Sequence, residues 1–357
     1  MIGKVKIRHL FLLAWLAALS TKAQVSSENY VQTTERISDT QVLSTTEYYD
    51  GLGRPFEMVE QKKTPDGANL IHLKEYDGLG RDWKTWLPVK DASDFLSISA
   101  ARSQGNNQYR DSHAFSLTEY DGSPLNRINT VEGVGAEWTS HPVKKDYLVN
   151  TSKYPLNCKY YRVSMQGQLQ DKGYYPEGRL YVTKTTDENG NESYEFKNIA
   201  GNVILKRTIC SIDEAADTYY IYDYRGNLAF VLPPNYQEEP SLDLYAYQYK
   251  YDGQGNCTWK KLPGCEPIYM KYDLSGRMTY LQDGNLRKKG LWEFCVYDKL
   301  GRLAVQGTTA SISDVSKIHV YALYTGAGIL DGYQLNGTTI TAKSLLITNF
   351  YDDYTFI

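Results

Sequence analysis

The strongest constraint on the fold of this chain is a short segment that it contains twice. Tyr49 to Arg54 and Tyr76 to Arg81 both have the sequence YDGLGR, 27 positions apart, whereas the residues between the two copies differ. An Asp at the start of a type I turn can bond its own backbone, and a Gly three positions later can take the left-handed conformation that closes a hairpin. The segment therefore predicts a β-hairpin whose loop is a type I turn followed by a glycine bulge.

A looser form of the segment recurs along the chain: Asp or Asn, two free positions, Gly, then Arg or Asn. Of its eight occurrences, six have Tyr directly before the first residue; they begin at Asp50, Asp77, Asp187, Asn198, Asp223, Asp252, Asp273 and Asp298. Regular units follow each other at 21 to 29 residues, which is typical of a repeat architecture in which no unit buries its own faces alone. We therefore predict an all-β fold of antiparallel β-hairpin repeats that form a curved ribbon.

The candidate site residues are structural, and we predict no catalytic residue, metal site or cofactor. Backbone geometry at such a turn tolerates few residues, whereas the strands between turns need only suitable faces. Turn stiffness rather than chemistry thus explains the repetition. The residues assigned to this turn motif are Tyr49, Asp50, Gly53, Arg54, Tyr76, Asp77, Gly80, Arg81, Asp223, Gly226, Asp252, Gly255, Asp273, Gly276, Arg277, Asp298, Gly301 and Arg302.

Composition narrows the class of partner. The net charge of -3 and the isoelectric point near 6.0 lack the basic field that nucleic acid requires, so no nucleic-acid partner is predicted. The 32 Tyr, against 9 Phe and 6 Trp, favour strands in which a ring packs while its hydroxyl stays in water.

The first residues have the layout of a secretory signal. Lys4, Lys6 and Arg8 precede an apolar segment at 10–19, and small residues lead to Ala23. This apolar segment is too short to span a bilayer comfortably. We predict a signal peptide at 1–23 and a secreted, periplasmic or cell-surface protein without a membrane span after cleavage.

The remaining chain is interpreted as two domains. We assign 24–180 to a β-rich N-terminal domain with an irregular insert at about 88–180, and 181–357 to the repeat ribbon. Within the insert, 93–102 is predicted as a short helix capped by Asp91 or Ser93, and SQGNNQYRDS as a polar loop.

The five cysteines are odd in number and contain no Cys-x-x-Cys pair, which argues against a zinc site and a dense disulfide framework. Two alternatives stay open for Cys257 and Cys265: a disulfide across a hairpin, or buried free thiols.

The motifs resemble the RHS or YD-repeat family, named for its Tyr-Asp dipeptide. The segments YYDGLGRPFEMVEQKKTPDG and EYDGLGRDWKTWLPV are similar to the N-terminal domain of unknown function of secreted bacterial RHS proteins, and SPLNRI resembles its continuation. YIYDYRGNLAFVLPP, KYDLSGRMTYLQDGN and VYDKLGRLAVQG resemble successive repeats. Similarity extends over nearly the whole mature chain.

This resemblance implies a β-ribbon that spirals into a hollow shell. In relatives the shell encloses a toxic C-terminal domain or serves in cell contact. Here the C-terminal core segment and a recognisable toxin are missing, and Tyr351-Asp352 predicts the start of another repeat. We therefore expect a truncated shell wall, whose partners are the rest of the shell or its C-terminal cargo if these are encoded downstream.

Residue patterns of several enzyme and ligand classes are missing from the sequence. There is no nucleophile elbow, HExxH segment or phosphate loop, and the histidines of the mature chain, His72, His113, His141 and His319, are scattered. Asp187 to Glu192 clusters oxygen ligands but lacks the Gly and Glu positions of an EF-hand loop, which leaves calcium or a plain hairpin turn.

The preferred hypothesis is a non-enzymatic shell wall in a toxin or surface-interaction system. The alternative is a stand-alone cell-surface module that binds a glycan or a protein through Tyr-rich faces or strand edges. A hydrolase has the least support, because no matching residue pattern is found.

Overall fold

The structure is a computed structural model that describes residues 28–38, 42–212, 214–327 and 330–351. The predicted signal peptide at 1–23 lies outside the described residues. These residues form 25 β-strands, three α-helices and one 3-10 helix, and consecutive strands that pair are antiparallel. The prediction of an all-β, antiparallel fold is confirmed. The helices within the described residues are too short or too polar to span a bilayer.

The chain divides into two compact units. Unit 1 comprises the chain to Lys144 together with Asp187–Asn189, and unit 2 comprises Lys145–Thr186 and the chain from Gly190. The elements of unit 1 are β1 (Asn29–Arg36), β2 (Val42–Tyr49), β3 (Pro55–Glu60), β4 (Asn69–Tyr76), β5 (Asp82–Trp86), β6 (Val89–Asp91), α1 (Ile98–Tyr109), β7 (Phe115–Tyr120), β8 (Ile128–Glu132) and the 3-10 helix Ala136–Ser140. Strand β9 (Val143–Val149) extends across the division.

Unit 1 is a series of hairpins with a core on one side. Strand β4 alternates strictly between buried and half-buried side chains, as a strand with one core-facing surface should. It pairs with β3, with β5 through its second half and with β6 through its first half. The core residues are Tyr48, Phe56, Val59, Ile71, Leu73, Trp86, Val89, Ala101, Ala114 and Phe115.

The helix of unit 1 corrects the sequence prediction at both ends. It begins after Ser97, whose Oγ accepts the Ala100 N–H, rather than at Ser93. Asp91 instead closes a local turn by accepting the Ser93 N–H at 2.7 Å. Residues 103–109 of the segment predicted as a polar loop continue the helix, whereas 110–112 lie outside it. Gln104 donates to the Lys90 carbonyl at 2.7 Å and thereby ties this face to β6.

Unit 2 continues the hairpin pattern over a longer stretch. Its elements are β10 (Lys159–Val163), β11 (Leu169–Tyr174), β12 (Tyr181–Thr186), β13 (Glu192–Lys197), β14 (Val203–Ser211), β15 (Glu214–Tyr222), β16 (Leu228–Leu232), α2 (Pro234–Glu238), β17 (Tyr247–Tyr251), β18 (Cys257–Lys261), β19 (Ile268–Tyr272), β20 (Met278–Gln282), α3 (Gly284–Lys288), β21 (Trp292–Tyr297), β22 (Leu303–Thr309), β23 (Tyr321–Tyr324), β24 (Tyr333–Asn336) and β25 (Ala342–Thr348).

Strands β12 to β22 of unit 2 pair in chain order, and β25 then pairs with β22. The hairpins β10–β11 and β23–β24 are separate two-stranded sheets. The β10–β11 hairpin packs on the first of two cores of unit 2, and the β23–β24 hairpin contributes to the second. The first core includes Cys158, Leu180, Phe196, Leu205, Tyr219 and Leu232. The second includes Tyr280, Phe294, Val305, Val320, Ala322 and Ile340.

A buried acid in unit 1 should make the stability of the fold depend on pH. Glu57 on β3 is 2% exposed; its Oε1 accepts the Leu96 N–H at 3.0 Å, and its Oε2 has no hydrogen-bond partner among the described residues. Burial raises its pKa to about 7. Because the folded pKa is raised, the protonated acid favours folding at low pH, and this contribution is lost as pH rises through 7.

We expect the free energy of unfolding of Glu57→Gln, relative to that of wild type, to be about 2–3 kcal/mol higher at pH 9 than at pH 5. Urea unfolding at the two pH values measures this difference. Glu119→Gln, at an exposed position on β7, is the matched control and should leave the pH dependence unchanged. An unaltered pH dependence in Glu57→Gln would contradict the assignment.

The repeated turn as candidate functional site

Each turn of the motif is organised by the side-chain oxygen of its first residue, which is a carboxylate oxygen in all copies except the Asn198 turn. In the first copy, the Asp50 N–H donates to the Arg54 carbonyl and the Gly53 N–H donates to the Asp50 carbonyl, both at 3.0 Å. Asp50 Oδ1 accepts the backbone N–H groups of Leu52 and Arg54, both at 2.9 Å. Gly53 has a φ of 77°, in the left-handed region that favours glycine. One side chain thus satisfies two backbone donors of the turn.

The same backbone bonds recur in six further copies. The first N–H donates to the carbonyl four residues later at 2.8–3.0 Å, and the glycine N–H donates back at 2.9–3.3 Å, in the turns that begin at Asp77, Asn198, Asp223, Asp252, Asp273 and Asp298. Their glycines have φ values of 72–87°, at Gly80, Gly201, Gly226, Gly255, Gly276 and Gly301. The repetition in sequence therefore corresponds to one repeated backbone geometry.

The last residue of the motif binds the second carboxylate oxygen. Arg54 Nε donates to Asp50 Oδ2 at 2.8 Å, and Arg302 Nε donates to Asp298 Oδ2 at 2.6 Å. In the turns that begin at Asp223 and Asp252, Asn replaces Arg and its amide makes the corresponding bond, as Asn256 Nδ2 does to Asp252 Oδ2 at 3.0 Å. Arg and Asn are interchangeable for closing the turn.

These bonds favour the ionised acids. Backbone and side-chain hydrogen bonds from Arg54 hold the pKa of Asp50 below its usual range. For Asp298, burial alone would raise the pKa, but the hydrogen bonds from Arg302 lower it. Because these folded pKa values are depressed, the turns stabilise the fold above the unfolded pKa of about 4 and lose that stabilisation as pH falls further. Their pH dependence is therefore opposite to that of Glu57.

The tyrosine of the motif contacts the preceding hairpin. Tyr76 Oη donates at 2.7 Å to the carbonyl of Pro55, the residue directly after Arg54. Equivalent bonds of 2.8–3.1 Å join Tyr222 to Val203, Tyr251 to Leu228 and Tyr351 to Leu303. In each pair the acceptor follows the Arg or Asn that closes the previous turn. Three motif tyrosines depart from the pattern. Tyr49 and Tyr272 bond Glu47 and Met270 on their own strands, and Tyr297 has no hydrogen bond from its hydroxyl among the described residues.

The arginine of the motif contacts the following hairpin. Arg54 Cζ lies 4.5 Å from the ring centroid of Tyr76, and Arg302 Cζ lies 4.2 Å from that of Tyr351. A longer contact of 5.9 Å joins Arg277 to Tyr297. Cation–π contacts of this kind contribute about 0.5–1 kcal/mol each at exposed sites. Tyr and Arg therefore link consecutive hairpins, whereas Asp and Gly shape the turn itself.

One linked turn was missed by the sequence search because it contains two extra residues. Asp121 donates its N–H to the Arg127 carbonyl at 2.8 Å, and Arg127 Nε donates to Asp121 Oδ2 at 2.8 Å. Tyr120 Oη donates to the Asp82 carbonyl at 2.9 Å, and Arg81 lies 4.4 Å from the Tyr120 ring. The Tyr-Asp dipeptide followed by an Arg was the available signal.

A second missed turn has Ser in place of Asp. The Ser164 N–H donates to the Gln168 carbonyl and the Gly167 N–H donates to the Ser164 carbonyl, both at 2.9 Å. Ser164 Oγ accepts the N–H groups of Gln166 and Gln168 at 3.2 and 3.1 Å. A hydroxyl can therefore supply the two backbone bonds, although it offers no second oxygen for an Arg.

Replacing a motif glycine tests this geometry. Gly80 has a φ of 82°, and a Cβ built on it would lie 2.5 Å from Arg54 Nη1. We expect Gly80→Val to lower the free energy of unfolding of unit 1 by about 2 kcal/mol, since a β-branched residue resists positive φ. Gly78→Val is the matched control, because Gly78 lacks positive φ and an added Cβ meets no atom within 4 Å. Equal urea midpoints for the two variants would contradict the turn assignment.

Sites for other chemistry are sparse in the described part of the chain. No group of three His, Cys, Asp or Glu residues there could hold a metal ion, and Asp187 Oδ1 accepts the Asn189 N–H at 2.9 Å, as in a turn. Cys257 and Cys265 are both free thiols, but Cys257 is half-buried and Cys265 is exposed, so the expectation of buried thiols was wrong. Ser275 Oγ and His319 Nδ1 lie 2.6 Å apart, but His319 is exposed and has no hydrogen-bonded carboxylate among the described residues. This pair lacks the orienting group of a hydrolytic triad.

Residues 20–149 match a family described as a domain of unknown function, DUF6443. This match covers little more than a third of the chain and supplies no function. No curated protein matches the sequence.

Solved structures with a similar fold are toxin complexes. The structure of TcdB2-TccC3 without its hypervariable C-terminal region superposes on this chain with a TM-score of 0.53 at 15% identity. The superposition covers 83% of this chain and 14% of the solved one. The Photorhabdus luminescens Tc holotoxin pore with a TccC3 substitution gives a TM-score of 0.51 at 16% identity, with coverage of 83% and 14%. At these identities the likeness shows the fold alone, and the chain spans about a seventh of those structures.

Proposed function

We propose that this chain is a wall segment of a secreted, non-enzymatic RHS-type shell, with a structural or encapsulating role in a toxin or surface-interaction system. The observation that carries the proposal is the double contact between consecutive turns. At Arg54, Arg81 and Arg302 the guanidinium stacks on the next Tyr, while that Tyr bonds the backbone next to the same Arg. Repeated contacts of this kind suit a continuous wall.

The toxin complexes support this role at the level of fold. They resemble the chain over most of its length although they are far longer. A wall segment needs packed hairpins and linked turns rather than a reactive centre, and the described residues supply both.

Tyr351 supports continuation of the wall. It makes both contacts of a motif tyrosine, to the Leu303 carbonyl at 2.8 Å and to Arg302 at 4.2 Å. Asp352, which would begin its turn, lies outside the described residues. We propose that a further hairpin would pair with β25, so that this chain is part of a longer shell that holds its C-terminal cargo.

Electron cryomicroscopy of the complete product of the gene, purified from its source, tests this function. We expect a hollow particle whose wall contains these hairpins. A product that ends at Ile357 and remains an open structure without enclosed volume would overturn the shell role.

The second candidate is a stand-alone module at the cell surface that binds a carbohydrate or a protein. Strand β1 favours it, because all eight of its residues are exposed and Tyr30 and Val31 are 50% and 56% exposed. An exposed strand is suited to strand addition by a partner. Cross-linking of the secreted protein on intact cells tests this role; a single surface protein cross-linked through β1 would support it, and labelling without a partner would contradict it.

A further inference from the structure

A cavity in unit 2 has the composition of a ligand site. It has a volume of about 550 Å³ and lies between the β10–β11 hairpin and the β14–β15 part of the sheet. That volume falls within the range of about 300–1,000 Å³ found for small-molecule sites. Its lining includes Tyr160, Arg162, Lys172, Asn198, Tyr220 and Tyr224.

The cavity is cationic. Lys159, Arg162 and Lys172 line it, against Asp223 as the one carboxylate of the lining. Within the described residues, Arg162 and Lys172 have no ion pair, whereas Lys159 lies 3.9 Å from Asp171. Asp223 is already engaged, because its two oxygens accept bonds from Arg225 and Asn227 within its own turn. The surplus positive charge therefore faces the cavity and favours an anionic ligand.

Neutral donors and aromatic rings complete the lining. Asn198 and Asn202 belong to a turn in which Asn198 Oδ1 accepts the N–H groups of Ala200 and Asn202 at 3.0 and 2.9 Å. Among the described residues, neither Asn amide nitrogen has an acceptor, so both are available as donors. Tyr160 packs on Tyr175 with 4.6 Å between ring centroids, and Tyr224 is 75% exposed.

We propose that this cavity binds a carboxylate-bearing sugar of the uronic acid class. The Arg162 guanidinium can bind a carboxylate through two parallel hydrogen bonds, and Lys172 adds a second positive charge. Amide donors match sugar hydroxyls, and tyrosine rings can cover the apolar face of a pyranose. An acidic peptide fits less well, because extended peptides bind along open strand edges, whereas this cavity is bounded by a hairpin and two turns.

Isothermal titration calorimetry of the secreted chain with trigalacturonic acid tests the proposal, with maltotriose and hexaglutamate as comparison ligands. We expect binding of trigalacturonic acid alone, weakened by added salt. Arg162→Met and Lys172→Met should each weaken binding about 10-fold or more. Lys343→Met, at an exposed position on β25 outside the cavity, is the matched control and should bind as wild type.

Three results would overturn the proposal: no binding of trigalacturonic acid, equal binding of hexaglutamate, or undiminished binding by both cavity variants. Thermal unfolding of each variant shows whether it is folded, and both substituted side chains lie in the wall of a solvent-filled cavity. The test does not depend on the wall role, because a shell without sugar binding and a sugar-binding protein without a shell give different results in microscopy and calorimetry.

Discussion

Removing Asp217 is expected to cause the largest loss of stability that a single substitution predicts for unit 2. The Asp217 carboxylate on β15 accepts hydrogen bonds from Nε and Nη2 of Arg207 on β14, at 2.8 and 2.6 Å. Arg207 is 5% exposed, and its Nη1 donates to the carbonyls of Pro155 and Asn157. Asp217→Ala would leave a guanidinium buried without a counter-ion. We expect the free energy of unfolding to fall by about 3–5 kcal/mol, measured by urea unfolding.

The neighbouring strand position supplies the matched control. Lys206 pairs with Glu195 at 3.4 Å, but its side chain is 55% exposed. Lys206→Ala should cost less than about 1 kcal/mol. Replacing both buried partners, as in Arg207→Met with Asp217→Leu, should cost less than Asp217→Ala alone, since no buried charge is then unpaired. Equal losses for Asp217→Ala and Lys206→Ala would contradict this account of the pair.

Removing Asp273 should produce the second large loss, because this motif Asp reaches beyond its own turn. Asp273 is 1% exposed and accepts the N–H groups of Ser275 and Arg277, both at 2.9 Å. Its Oδ2 also accepts Arg277 Nη2 at 2.7 Å and the buried Val320 N–H at 3.1 Å. We expect Asp273→Ala to lower the free energy of unfolding of unit 2 by about 3–4 kcal/mol.

Asp252→Ala is the control for this second prediction. The Asp252 side chain makes the same turn bonds to Gln254 and Asn256, but none to another segment among the described residues. Its removal should cost about 1–2 kcal/mol. If urea unfolding gave the same cost for both Asp variants, the contact with Val320 would not contribute.

The turns were predictable from sequence because their bonds are local. The Asp50 carboxylate and the Gly53 conformation involve residues at most four positions apart, so a short pattern contains all the information. The Asp121 turn escaped the search because two additional residues alter the spacing while the pairing of Asp121 with Arg127 survives. A pattern of fixed length cannot detect a turn that is two residues longer.

The contacts between hairpins were not predictable in the same way. Tyr76 bonds a carbonyl 21 positions earlier, and Tyr351 one 48 positions earlier. The second separation in sequence includes the whole segment between β22 and β25, and a turn pattern cannot predict how long that segment is. The bounds of α1 were wrong for a related reason, since Gln104 in the helix bonds the Lys90 carbonyl, a contact with β6 that no local pattern gives. Turn stiffness is therefore only one of two reasons for the repetition.

The central claim is that the repeated motif joins consecutive hairpins, and a double-mutant cycle on Arg54 and Tyr76 measures this directly. Urea unfolding of Arg54→Met, Tyr76→Leu and the double variant should give a coupling free energy of at least about 0.5 kcal/mol. Arg54→Met with Tyr120→Leu, which share no contact among the described residues, should be additive. Additivity for Arg54 and Tyr76 as well would contradict the claim and leave the motif as an isolated turn.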